Sequence, residues 1–171
     1  MGFFKRAGRH ELEAYLKEYI KDEHTLRVYC KRDVTVPERS GRNAGFDFFV
    51  PNDFSKITIK SLRSANIPSG IIVKMPPGHA LIAFNKSGIA VNYNLQVGAC
   101  VVDENYTGEI FLNVFNVGKK KINIYPGMKL VQFVLVKVNY ATVMEHYKLE
   151  EMYKPEDHEE RGDKAFGSSG I

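Results

Sequence analysis

From Leu26 to Val138 the chain is a succession of short apolar runs cut by turn formers, a texture that few folds can accommodate. Leu26 to Cys30, Gly70 to Lys74, Ala80 to Phe84, Glu109 to Phe115, Lys121 to Tyr125 and Val131 to Val138 are rich in Val, Ile, Phe and Tyr. Those side chains fit a pleated, half-buried surface. Pro51-Asn52-Asp53, Pro76-Pro77-Gly78, Gly118 and Pro126-Gly127 punctuate them. Parallel strands need long crossover connections, usually helical, and no helices alternate with these runs. The expectation is an all-β fold, an antiparallel barrel or jelly roll, and not a doubly wound α/β sheet.

With 171 residues, 44% of them hydrophobic, the chain can bury an ordinary core in one domain without covalent staples. Leu12, Tyr15, Leu16, Tyr19 and Ile20 recur at helical spacing while Glu13, Lys17, Glu18 and Lys21 fall elsewhere. That pattern predicts a short amphipathic helix over residues 9–22. Residues 145–164, EHYKLEEMYKPEDHEERGDK, are dense in charge and interrupted by Pro155, which predicts a solvated, mobile arm. The expected organisation is a helical extension over 1–24, a β domain over 25–144 and an arm over 145–171.

Lys and Arg total 24 against 20 Asp and Glu, a formal charge of +4. Such a surface suits anions, a phosphorylated small molecule among them. It lacks the charge density of a dedicated nucleic-acid binder, so no nucleic-acid partner is expected. Cys30 and Cys100 lie far apart and the five histidines form no HxH or HExxH pattern, which argues against a protein-ligated zinc and fits reduced thiols. No run approaches the roughly 18 apolar residues of a membrane span, and Met-Gly-Phe-Phe-Lys-Arg carries no signal-peptide core. A soluble, cytoplasmic protein with no membrane partner is the expectation.

Several segments could carry chemistry. Asn85-Lys86-Ser87-Gly88-Ile89-Ala90 puts a cation, a hydroxyl and a glycine just past a predicted strand, where backbone N–H groups can approach phosphate oxygens. A polar turn reads the same way. Val97 to Ile110 reads as strand, acidic turn and strand, a hairpin. Asp103, at the end of its apolar strand, could hold a water and accept its proton, or serve only as a turn residue. Tyr106 is a packing aromatic or a platform against a sugar face. Asp47, Gln132 and Arg161 are bland taken singly.

Their order is not bland. Ala-Gly-Phe-Asp (44–47), Lys-Ser-Gly-Ile-Ala (86–90), Val-Val-Asp-Glu-Asn-Tyr-Thr-Gly-Glu (101–109), Gly-Met-Lys-Leu-Val-Gln (127–132) and Arg-Gly-Asp-Lys-Ala-Phe-Gly-Ser-Ser-Gly (161–170) follow one another. Together they resemble the five ordered motifs of the trimeric dUTPase family, over about residues 26–171. The resemblance implies a jelly-roll-like β-barrel, a homotrimer, and hydrolysis of dUTP to dUMP and pyrophosphate with Mg2+ held mainly by the triphosphate. It also implies shared active sites: the first, second and fourth motifs from one subunit, the third from a neighbour and the fifth from the arm of the remaining chain.

By the same resemblance, Asp103 orients and deprotonates the water that attacks the α-phosphorus. Tyr106 stacks beneath deoxyribose, and the backbone around Cys100 and Phe111 reads the uracil edge. Lys86, Ser87, Gly88 and Gln132 contact the phosphates, and Asp47 supports the metal through its waters. Arg161 meets the γ-phosphate, Phe166 covers the base, and Gly167, Ser168 and Ser169 add donors as a lid closes. The chain departs from the family pattern in two places. Lys86 stands where Arg is usual, exchanging a bidentate fork for a point charge, and Ala165 stands where Gly is usual. The related dCTP deaminase places a glutamate ten residues after the hairpin aspartate, and Asn113 occupies that place here. A regulatory protein-binding role on the same scaffold, through the 9–22 helix, is the remaining alternative.

Overall fold

The structure, a computed structural model, describes residues 25–153. The helix expected over 9–22 and the fifth motif, with Arg161, Ala165, Phe166, Gly167, Ser168 and Ser169, lie outside the described residues. The chain divides into two compact units between Asn139 and Tyr140. In the second unit, the described residues carry a single 3-10 turn, Leu149–Glu151, and His146 Nδ1 lies 3.3 Å from Glu151 Oε2.

The described part of the first unit, residues 25–139, is built of β-strands with one short helix, as its texture demands. Its strands are β1 (Arg27–Cys30), β2 (Gly45–Phe49), β3 (Ile57–Ile59), β4 (Ser64–Pro68), β5 (Ile71–Lys74), β6 (His79–Asn85), β7 (Leu95–Val97), β8 (Val101–Val102), β9 (Phe111–Asn116), β10 (Ile122–Ile124) and β11 (Lys129–Lys137). Every pairing among them is antiparallel. They form a four-stranded sheet β2-β11-β6-β8, a three-stranded sheet β4-β9-β7, and the pairs β1-β5 and β10-β3. The jelly-roll-like arrangement is thus spread over four sheets in place of one continuous barrel.

Period-two burial explains why these segments settle as strands. On β9, Leu112, Val114 and Asn116 are buried while Phe111, Asn113 and Phe115 face the other way. Phe48, Ile67, Leu81, Leu95, Ile124 and Phe133 meet in the core, with the rings of Phe48 and Phe133 4.5 Å apart at 51°. Each such side chain contributes about 1.5–3 kcal/mol by leaving water.

One helix interrupts the sheets: α1, Ser87–Tyr93, directly after β6. It buries no side chain and closes on Asn94 in the left-handed conformation, whose N–H reaches the Ala90 carbonyl. The segment from Val97 to Ile110 also differs from a simple hairpin. β8 pairs with β6 in the four-stranded sheet, whereas β9 pairs with β4 and β7. The hairpin legs are instead β7 and β9, and the acidic turn is a corner that carries the chain between two sheets.

Candidate active site

Strand register brings the first, second and fourth motifs together. Asp47 on β2 faces Gln132 on β11, which in turn faces Phe84 on β6. Lys86 follows β6 by one residue, and its Nζ donates to Asp47 Oδ1 at 2.5 Å. Gln132 Nε2 donates to the Asn85 carbonyl at 2.9 Å, which fixes the amide beside the entry to α1. Ser87 and Gly88 open that helix, and no side chain caps it. The result is a half-buried cation, an amide and the start of a helix on one edge of the sheet.

Two further residues join this cluster: Lys129, from within the fourth motif, and Glu38, which lies in none. The register of β11 against β2 shifts between Lys129 and Val131, so Leu130 is the extra residue of a bulge and is buried along with Val131. Lys129 therefore stays at the surface, bonded to Glu38 and 3.9 Å from Asp47 Oδ2. Its hydrogen bond to Glu38 is the main reason the ammonium is held above the usual lysine range; a smaller desolvation opposes it, and the charges of Glu38 and Asp47 add to it. Glu38 lies next to Asp47 through an isolated antiparallel bridge. Only that pairing brings residue 38 beside residue 129, and no sequence spacing announces it.

The third motif builds a separate cavity of about 180 Å³, lined among others by Cys100, Asp103, Tyr106, Glu109, Phe111 and Phe133. At less than the roughly 300 Å³ of small-molecule pockets it has room for a base and not for a whole nucleotide. A larger cavity of about 420 Å³ shares Tyr106 but contains none of the expected catalytic groups. Asp103 is exposed, and its carbonyl accepts the Tyr106 N–H at 3.1 Å to close the turn. The side chain of Asp103 has no hydrogen-bond or ion-pair partner among the described residues.

Backbone geometry around this cavity depends on two glycines. Tyr106 Oη donates to the Glu109 carbonyl at 2.9 Å, so its ring lies across Gly108. A Cβ on Gly108 would sit 2.5 Å from that oxygen. Asn113 Oδ1 accepts the Ala99 N–H at 3.2 Å and occupies the space over Gly98, where a Cβ would come within 1.9 Å of it. Asn113 thereby holds the strand leading into Cys100, whose backbone carbonyl accepts the Ala83 N–H at 2.7 Å. Glu109 anchors the far side: Oε1 accepts the Gly70 N–H at 2.8 Å and Oε2 pairs with Lys31 at 3.4 Å.

Asp103 and the cationic edge stand at opposite ends of β6, whereas Cys100 and Phe133 of the cavity lie level with Ala83, near its middle. Val102 pairs with Leu81, so Asp103 is level with Ala80, six residues from Lys86. At about 3.3 Å per residue, the separation is roughly 20 Å along the strand. Among the described residues no three His, Cys, Asp or Glu side chains converge as a metal site. Both cysteines are free, and no described helix is long and apolar enough to cross a membrane.

An all-β protein with an acid-bearing corner and a separate cationic edge is the class that these features define, and comparison with known proteins narrows it. A family model described as dUTPase matches residues 31–170. The deoxyuridine 5'-triphosphate nucleotidohydrolase of Rattus norvegicus is 33% identical over 152 residues, 88% of this chain and 69% of that protein. The Fowlpox virus protein of the same name is 31% identical over 150 residues, covering 88% of this chain and 99% of its own. In structure, the Staphylococcus bacteriophage 80alpha dUTPase with dUpNHpp superimposes with a TM-score of 0.74 at 21% identity, over 86% of this chain and 99% of that one. A dUTPase from phage phi11 of S. aureus, in which a structural Mg(II) ion is coordinated, matches at 0.66 and 20%, over 74% and 99%. The chain belongs to the dUTPase family.

Proposed function

We propose that the protein hydrolyses dUTP to dUMP and pyrophosphate in an active site that two or more copies of the chain complete together. The observation that carries this reading is the separation of the two half-sites. Asp103 lies level with Ala80 while the Asp47–Lys86–Gln132 edge lies at the other end of β6, roughly 20 Å along the strand, which favours a site built from the edge of one chain and the acidic corner of another. A homotrimer, in which the cavity of one subunit faces the cationic edge of the next, answers that geometry.

In such a site the uracil enters the small cavity, where the main chain near Cys100 and Phe111 meets its polar edge. A base lacking those groups leaves buried backbone donors and acceptors unpaired, a strong basis for selection. Tyr106, held flat by Gly108, supports the deoxyribose. Asp103 draws the proton from a water as its oxygen bonds to the α-phosphorus, the bridging P–O bond breaks, and pyrophosphate leaves with the electron pair. Lys86, Ser87, Gly88 and Gln132 meet the charge that moves onto the leaving group. Arg161 with the Phe166–Ser169 segment completes the enclosure, excluding water that would weaken these contacts.

The donor set suits a Mg2+ delivered on phosphate oxygens, since magnesium prefers oxygen and keeps several waters. Bound there, the ion would neutralise phosphate charge in the transition state. Asp47 already engages Lys86 through Oδ1, so it orients that cation directly and offers its remaining lone pairs to water. A lysine positioned in this way supplies the charge that an arginine fork would otherwise bring. Deamination of dCTP is the weaker reading, because the Asn113 amide cannot accept a proton and is occupied in holding Ala99.

The test is pyrophosphate release measured with dUTP, UTP, dTTP and dCTP in the presence of magnesium. Turnover of dUTP well above the other three is the expected result; equal turnover of UTP, or ammonia from dCTP, contradicts the assignment. Gly108→Ala provides a finer check. Its methyl displaces the Tyr106 ring and breaks the solvent-exposed bond to the Glu109 carbonyl, a net loss of about 0.5–1.5 kcal/mol. We expect kcat/KM for dUTP to fall by about three- to tenfold and the preference for dUTP over UTP to narrow, with the thermal melt still cooperative.

A further inference from the structure

The net charge of +4 conceals a marked segregation. Residues 54–102 contain no Asp or Glu, and neither do residues 110–144. Within these stretches β3 and β10 form a two-stranded ribbon whose inner face, Ile59 and Ile124 foremost, joins the core. The outer face alternates with it. Thr58 Oγ1 donates to Asn123 Oδ1 at 2.7 Å across the middle, Lys56 Nζ lies 5.2 Å from the centre of the Tyr125 ring at one end, and Lys60 stands opposite Lys121 at the other. Like charges facing each other across a ladder destabilise it unless a counter-charge arrives.

Beside the Lys60–Lys121 end, two turns add Arg63, Lys119 and Lys120, all exposed. These turns are fastened together. Buried Asn116 donates through Nδ2 to the Ile59 and Lys120 carbonyls at 3.0 and 2.8 Å, and its Oδ1 accepts the Gly118 N–H at 3.0 Å. Ser61 Oγ donates to the Gly118 carbonyl at 2.7 Å. None of the six cations has an ion-pair partner among the described residues.

We propose that this ribbon face, with Lys56, Lys60, Arg63, Lys119, Lys120 and Lys121, is a sequence-independent docking surface for the phosphate backbone of nucleic acid. Lys56 and Lys60 are four residue steps apart, about 13 Å of strand, which spans about four nucleotide steps at 3.4 Å each. A two-stranded ribbon is also an element that the major groove admits. Charges set in a row on a fixed ribbon, with hydrogen-bonding side chains and one aromatic between them, match a linear polyanion. An anionic bilayer is matched less well, because surface binding there needs a broad apolar face, whereas the exposed large apolar side chains here, Leu62, Val117 and Tyr125, are scattered among the cations. The proposal stands apart from the dUTP site and does not depend on it.

The test is fluorescence anisotropy of a labelled 30-base-pair DNA duplex, and of one of its strands, titrated with the full chain from 50 to 200 mM salt. We expect binding to either probe that weakens steeply with salt. In K60E/K121E, affinity should fall at least tenfold and the slope of log K against log salt should flatten by about two, close to 0.9 for each lost phosphate contact. K137E, a charge reversal on β11 away from the ribbon, should leave binding within about twofold, while dUTP hydrolysis is unchanged in both variants. Unaltered affinity in K60E/K121E, displacement of the DNA by a dUTP analogue, or binding only to phosphatidylserine vesicles would each overturn the proposal.

Discussion

Asp103→Asn is expected to bind dUTP about as well as the parent while turnover falls by several orders of magnitude. The substitution is nearly isosteric and the side chain has no partner among the described residues to lose, so the corner between β8 and β9 keeps its shape. What disappears is the capacity to take a proton from water as it attacks. General-base assistance typically contributes about 10²–10⁴-fold, and the in-line orientation of that water adds to it. The split between constants is diagnostic: a kcat loss with little change in nucleotide affinity marks a group acting in the transition state. Isothermal titration with a non-hydrolysable dUTP analogue, beside single-turnover kinetics, measures both halves. Turnover within a few-fold of the parent would remove Asp103 from the role assigned to it.

The second large effect concerns a residue that touches no substrate. In Gly98→Ala the new methyl would lie 1.9 Å from Asn113 Oδ1 and 3.1 Å from its Cγ. Either the amide swings away, leaving the Ala99 N–H without its acceptor, or the strand bearing Cys100 shifts. Both routes distort the backbone proposed to read uracil. Losing this exposed hydrogen bond costs about 0.5–1.5 kcal/mol and forced packing a further 1–3 kcal/mol. A lowered melting temperature and a dUTP KM raised at least tenfold are the expected results. Asn113→Ala removes the obstructing atoms, so Gly98→Ala/Asn113→Ala should recover part of the stability lost by Gly98→Ala alone. Additive losses in this double-mutant cycle would show that the two residues do not act as a pair.

The strands were legible because apolar, branched and aromatic runs between prolines and glycines leave little else for the chain to do. β1, β5 and β10 fall within the runs that announce them, and β6, β9 and β11 overrun theirs by one or two residues at one end or both. Helix α1 was not legible: Ser-Gly-Ile-Ala-Val-Asn-Tyr has a glycine, two β-branched residues and no buried face, so neither propensity nor periodicity marks it. The corner at Asp103 reads as a hairpin from sequence alone, because partner choice between β8 and β9 is decided by β6 and β4, far away in the chain.

The site was legible in a different way. Asp47, Lys86 and Gln132 are unremarkable one by one, and only their place in an ordered set of motifs singles them out. Their contact at 2.5 Å between residues 39 apart is a product of register. Glu38 escaped altogether, and nothing in the sequence marked the structural roles of Lys129, Gly98, Gly108 and Asn113. Their roles rest on a bulge, a bridge and two close approaches, none of which leaves a trace in composition or spacing.

Shared active sites are the centre of the account, and subunit mixing tests them directly. Asp103→Asn and Lys86→Ala/Gln132→Ala should each be nearly inactive alone, for opposite reasons. Co-expressed and purified as mixed assemblies, they should regain about a quarter of parental activity, since an intact Asp103 meets an intact cationic edge with probability one half times one half. Mixed assemblies no more active than the two variants measured separately would contradict the account and place the whole reaction within one chain.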